Sequence, residues 1–139
     1  MSASRINLLA VVVAAVVYWL LGAGWFTLLQ KPWLDGIGKT MEQLQRDGAS
    51  PAVAYVVALI CNLVIAYVLS WLVIHTGEQT AMRGITIGVL MWIGLVATTF
   101  GTAYIFEGRS LQIFLISAGY PLAGMILMGA IVGTWKAKP

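Results

Sequence analysis

Charge is scarce in this sequence, and its distribution is more telling than its amount. Asp, Glu, Lys and Arg together make up 9% of the residues, against about 25% in an ordinary soluble domain, which excludes a water-exposed globule. Four long stretches hold none of them: Ile6–Leu29, Ala52–Ile74, Gly84–Phe106 and Leu111–Trp135. No ionisable side chain therefore lies mid-stretch, and the intramembrane carboxylate or arginine of proton-coupled pumps and voltage sensors is missing. Cysteine is equally sparse. Cys61 stands alone, which excludes an intrachain disulfide and reads as a small buried hydrophobe. His75 is the single histidine. One His and one Cys cannot build a zinc or haem site, so no metal and no cofactor are expected. No carboxylate accompanies His75 and no serine has a nucleophile-elbow setting, so a hydrolase triad is excluded and no enzymatic activity is expected.

What is present is apolar length. Each uncharged stretch meets or exceeds the roughly 20 residues that a helix needs to cross a bilayer. Lipid offers no hydrogen bonds to a backbone, so such stretches must be helices. The expected fold is all-α: an integral membrane four-helix bundle forming a single polytopic domain over residues 1–139, with spans at 6–29, 52–74, 84–106 and 111–135. The first stretch follows Arg5 as a signal peptide would, but it is too long for a signal core and is expected to be retained. The formal charge of +3 and the pI near 9.3 do not point to nucleic acid, because the basic residues are scattered singly between stretches. Membrane lipids are the expected surroundings.

Pro32 is expected to end the first span near the interface. Ser50 reads as an N-cap with Pro51 at the first helical position, and Ser110 as the cap of the fourth span. Thr76-Gly77 closes the second span, with glycine suited to the left-handed residue past a helix end. In the sizeable first loop, Leu34, Ile37, Met41 and Leu44 recur at helical spacing, so a short amphipathic helix is expected in the headgroup region with Trp33 as its anchor. Arg5, Arg83, Lys136 and Lys138 fall on the side of the termini, and Lys31, Lys39, Arg46 and Arg109 on the other. The positive-inside count is tied. Both termini are expected in the cytoplasm, with the protein in the cell inner membrane.

The spans are rich in small and weakly polar residues. Ala54, Ala58, Asn62, Ala66 and Ser70 form a ridge on the second span, and Gly84, Gly88, Met91, Thr98 and Thr102 share a face of the third. Gly84, Gly88, Gly129 and Gly133 are candidate helix-contact positions, because helices in lipid associate by close backbone approach. The contact can lie within one bundle or between copies. Pro121 should kink the fourth span and free the Ser117 carbonyl, placing Ser117, Tyr120 and a facing Asn62 at a polar spot deep in the membrane. Thr98 and Thr102 complete the candidate packing or ligand positions. Glu107 and Arg109 are a candidate ordering pair in the last turn.

Several segments resemble one family: Asn7-Leu8-Leu9-Ala10-Val11; Leu21-Gly22-Ala23-Gly24-Trp25-Phe26 leading to Lys31 and Trp33; Trp92-Ile93-Gly94; Phe106-Glu107-Gly108-Arg109-Ser110; Gly119-Tyr120; and Met128-Gly129-Ala130-Ile131 closing on Trp135. In this order they are similar to a bacterial membrane family of unknown function, domain-of-unknown-function family seventeen sixty-one. One departure is Phe26-Thr27-Leu28, where the family shows an aromatic followed by Ser-Pro. The resemblance implies a four-helix multipass protein and supplies no established activity.

The leading expectation is a non-enzymatic protein acting as a homo-oligomer or as an accessory subunit of a larger membrane complex. The alternative is a small transporter or channel for a hydrophobic or small polar molecule, bound near Asn62, Thr98 and Pro121. A through-going cavity would favour the second, a filled interior the first.

Overall fold

The apolar stretches fold as helices whose ends are set by short polar side chains. A computed structural model describes residues 5–139. Helix α1 runs Leu8–Leu28, α2 Gln30–Ile37, α3 Met41–Asp47 and α4 Pro51–His75. Helix α5 runs Ala81–Phe106 and α6 Leu111–Thr134. No strand occurs among the described residues. Helices α1, α4, α5 and α6 are long and apolar enough to cross a membrane. The first-turn amides are capped by Asn7, Ser50, Thr80 and Ser110, whose side chains accept from Ala10, Val53, Arg83 and Ile113. Such caps satisfy donors that a helix start otherwise leaves orphaned.

Four expectations need correction. Pro32 does not end the first span: α1 stops at Leu28, and Pro32 sits in the first turn of α2. An amide there has no intrahelical partner to lose, so proline costs little. The amphipathic segment is two helices, not one. Gly38 adopts φ 70° and closes α2, and Thr40 then opens α3 with a reciprocal capping box to Gln43. The stripe survives the break: Leu34, Ile37, Met41 and Leu44 are half-buried, while Lys39, Glu42, Gln43 and Arg46 are exposed. Cys61 is exposed on the outer face of α4, not buried.

The fourth correction concerns the third span. Trp92–Ala97 is π-helical, and the extra residue in a π turn rotates everything beyond it by about 100° relative to a regular helix. Gly84 and Gly88 are buried, but Thr98 and Thr102 are exposed. The five residues that a regular helix would align do not share a face. Pro121, by contrast, does not break α6, which continues from Leu111 to Thr134 through it.

Helix α6 is central and packs on α1, α4, α5 and α2. The core joins Val11, Ala14, Ala15 and Tyr18 of α1 to Ala66, Leu69 and Val73 of α4 and to Met125, Met128 and Val132 of α6. Closest approach is between α5 and α6. A Cβ at Gly84 would strike the Gly129 carbonyl, one at Gly129 would strike that of Gly84, and one at Gly133 would strike that of Thr80. Gly88 lies against the Met125 carbonyl, so all four glycines make their close contacts within a single chain.

Packing is uneven along the bundle. Near the termini, Asn7 donates to the carbonyls of Trp135 and Lys136. Gln79 donates to Val132 at 2.8 Å. Arg83 donates to the carbonyls of Val73 and Glu78 and to the Thr76 hydroxyl, closing the C-terminal end of α4, where cations are favoured. At the opposite end the helices splay. No residue of α1 beyond Tyr18 is buried, nor any of α5 from Trp92 onward. From Pro51 to Cys61 every residue of α4 except Leu59 is exposed.

Candidate functional site

The splay leaves a cavity of about 590 Å³ bounded by α1, α4, α6 and the α2–α3 pair. Small side chains make the room: Gly22 and Ala23 on α1, Ala54 and Ala58 on α4. Trp19, Phe26, Trp33, Tyr55 and Tyr120 supply an aromatic lining, and Met41 and Leu44 of the amphipathic stripe cover it from α3. The aromatics hold one another. Phe26 meets Trp33 edge-on at 5.4 Å and Tyr120 at 5.5 Å, and Trp19 meets Tyr55 at 5.8 Å. No Asp, Glu, Lys or Arg lines the space.

The inner end is polar. The Tyr120 hydroxyl donates to the Tyr18 carbonyl at 2.8 Å, and the two rings lie 4.4 Å apart. Asn62 is 6% exposed and stands beside the Tyr120 hydroxyl. Its Nδ2 faces that oxygen without forming a well-aligned hydrogen bond. Ser117 also lines the cavity. Because Pro121 has no N–H, the Ser117 carbonyl lacks its usual donor. Indoles reach the carbonyls on either side of it: Trp25 donates to Ile116 at 3.0 Å and Trp92 to Ala118 at 2.7 Å. These tryptophans tie α1 and α5 to α6 where the proline weakens its own ladder.

Of the candidate ligand positions, Asn62, Ser117, Tyr120 and Pro121 fall together at this depth. Thr98 and Thr102 do not join them. Both are exposed on α5, and their hydroxyls donate back to the carbonyls of Gly94 and Thr98. Glu107 and Arg109 pair at 2.8 Å in the exposed α5–α6 turn, with the guanidinium 5.0 Å from the Tyr104 ring centroid. His75 stacks on Trp71 at the end of α4. Among the described residues, no three His, Cys, Asp or Glu side chains come close enough to hold a metal ion. The sequence marked Ala58 as part of a packing ridge and Gly22 within a family-like segment, but connected neither them nor Tyr55 to a cavity. The available signal was Trp19, a mid-span indole in need of an acceptor, which it finds in the Tyr55 carbonyl at 3.0 Å.

These features define a small all-helical protein with four segments of membrane-spanning length and apolarity and an open cavity lined by no Asp, Glu, Lys or Arg. The chain belongs to the family described as "Protein of unknown function (DUF1761)", matched over residues 9–133. Neither the curated proteins nor the solved structures gave a match.

Proposed function

We propose that this protein binds a small uncharged molecule within the membrane and passes it on without transforming it. One observation carries the reading: the cavity between α1, α4 and the α2–α3 pair has a largely apolar, aromatic lining with no Asp, Glu, Lys, Arg or His. Ligand pockets usually measure about 300–1,000 Å³ and are lined in this way, with a few polar groups setting orientation. The lining offers no carboxylate, imidazole or amine, the side chains that most often carry acid–base catalysis, and this supports a non-enzymatic role. In this reading the protein sits in the cell inner membrane with both termini in the cytoplasm.

A second reading, assembly with itself or within a larger complex, draws on the splayed half. Val53, Val56, Val57 and Ile60 of α4 and Leu95, Ile105 and Phe106 of α5 are all exposed. Lipid or a neighbouring subunit can cover them equally well. The glycine contacts lend this reading no support, because they are spent inside the chain.

Native mass spectrometry from lipid nanodiscs tests both readings. The wild-type protein should retain an uncharged molecule that Ala58→Trp, which fills the cavity, releases. Retention of nothing beyond bulk phospholipid would overturn the binding reading. Peaks for a dimer or higher assembly would favour the second.

A further inference from the structure

The cavity changes character along its depth. Its wall runs from Trp19 to Thr27 on α1 and from Pro51 to Ala58 on α4, about 12 and 10 Å of helix. Half of a bilayer's hydrocarbon core is about 15 Å thick, so the space is about one leaflet deep. At the deep end the Trp19 indole and the Tyr120 hydroxyl are already bonded to the carbonyls of Tyr55 and Tyr18, which leaves their apolar faces to an occupant. The shallow end differs. Gln30 and Trp33 of α2 and Gln45 of α3 line it, and their side chains hydrogen-bond to no described residue; Trp33 only meets Phe26 edge-on. The hydroxyls of Tyr55 and Ser117, further in, are equally uncommitted. An amide offers both donors and an acceptor, so this mouth complements hydroxyl groups. The charges around it cancel: Lys31, Lys39 and Arg46 are matched by Asp35, Glu42 and Asp47, with Lys39 bound to Asp47 at 3.4 Å.

Resting on the binding reading above, we propose that the cavity takes a single-chain lipid with a neutral, hydroxyl-bearing head, as in a monoacylglycerol. The head sits at the level of the α2–α3 pair and exchanges hydrogen bonds with Gln30, Trp33 and Gln45. The ester lies lower, beside the Tyr55 and Ser117 hydroxyls, and the chain runs down among Trp19, Phe26 and Tyr120. A cavity of about 590 Å³ suits one drug-sized molecule, which a two-chain phospholipid exceeds. A head without hydroxyls forgoes the mouth's hydrogen bonds, and a charged head meets no counter-charge in the lining.

The experiment offers three probes with the same medium-length chain to the protein in one nanodisc: a monoacylglycerol, a fatty-acid methyl ester and a fatty-acid anion. Native mass spectrometry reads which stays bound. Wild-type protein should retain the monoacylglycerol ~10-fold or more over either competitor, as two or three net hydrogen bonds would give. The double variant Gln30→Leu, Gln45→Leu should bring it level with the methyl ester while leaving retention of the ester unchanged. Equal retention of all three probes, preference for the anion, or an unchanged preference in the double variant would overturn the proposal. A second measurement needs no variant. A photoreactive diazirine on the head should label α2 or α3 of the wild-type protein, and one at the chain end should label α1 near Trp19 or α4 near Ala58. Uniform or reversed labelling would also overturn the proposal. Ala58→Trp separates the two levels of inference. If it releases the probes while one of these results fails, the cavity stands and its choice of head falls. If wild-type protein retains no probe, or Ala58→Trp leaves retention intact, the cavity reading itself fails.

Discussion

At Gly129 a methyl group would meet the backbone of Gly84, and at Gly24 it would meet nothing within 4 Å. Both residues sit inside membrane-spanning helices, and both look alike in the sequence. In lipid the hydrophobic effect does not press helices together, so close backbone contact carries much of the association. Gly129→Leu should therefore destabilise the protein by about 3 kcal/mol or more through overpacking against backbone that cannot yield. Gly24→Ala should be neutral, or stabilise by up to ~1 kcal/mol through helix propensity. Thermal unfolding in lipid, followed by circular dichroism, checks both. Matching behaviour of the two variants would contradict the asymmetry. The glycine spacing was legible in the sequence, but the partner was not: spacing marks a smooth helix face without saying which chain covers it. Asn62 shows the same limit. Its polarity at mid-span was visible, whereas the residue it faces, Tyr120, is set by how α4 packs on α6.

At the scale of elements, local chemistry was readable where a side chain acts on its own backbone. Ser50 with Pro51 and Ser110 open α4 and α6 as their types require. Readability failed where tertiary contact decided. The π turn at Trp92–Ala97 has no compositional mark; it lies where the Trp92 indole reaches the Ala118 carbonyl across the helix interface. Pro32 reads as a stop, yet a residue before or after a helix start experiences proline quite differently. The break at Gly38 yields a prediction. Gly38→Ala should cost about 1 kcal/mol at its positive φ, because an L side chain is strained there. Spin labels at Ile37 and Met41 should be shielded from aqueous quenchers, with labels at Lys39 and Gln43 accessible. Gly38→Ala should blur that contrast by disturbing how α2 and α3 share their stripe. Uniform accessibility in the wild-type protein would remove the interfacial pair.

Across the whole molecule, one half is tightly packed and the other is open. The buried residues of α4 all follow Cys61, and those of α1 all precede Trp19. Local opening free energies should follow this gradient, since segments with few buried contacts open most readily. Hydrogen exchange in nanodiscs should accordingly be faster for Ala52–Ile60 of α4 than for Leu63–Ile74. Equal protection of the two would mean that lipid or another subunit completes the open half.

The helix on which the other three spans pack is also the one that follows them in the chain. Helices α1, α4 and α5 can each enter a bilayer as they are made, but their shared core requires Met125, Met128 and Val132 of α6. The Asn7 and Gln79 contacts at the closed end likewise wait for Val132, Trp135 and Lys136. During synthesis, then, α1 and α4 can already pair, but the bundle closes only when its final quarter arrives. A ribosome stalled before residue 111 leaves a chain that is inserted yet unassembled, which is the form that membrane quality-control proteases are best placed to remove.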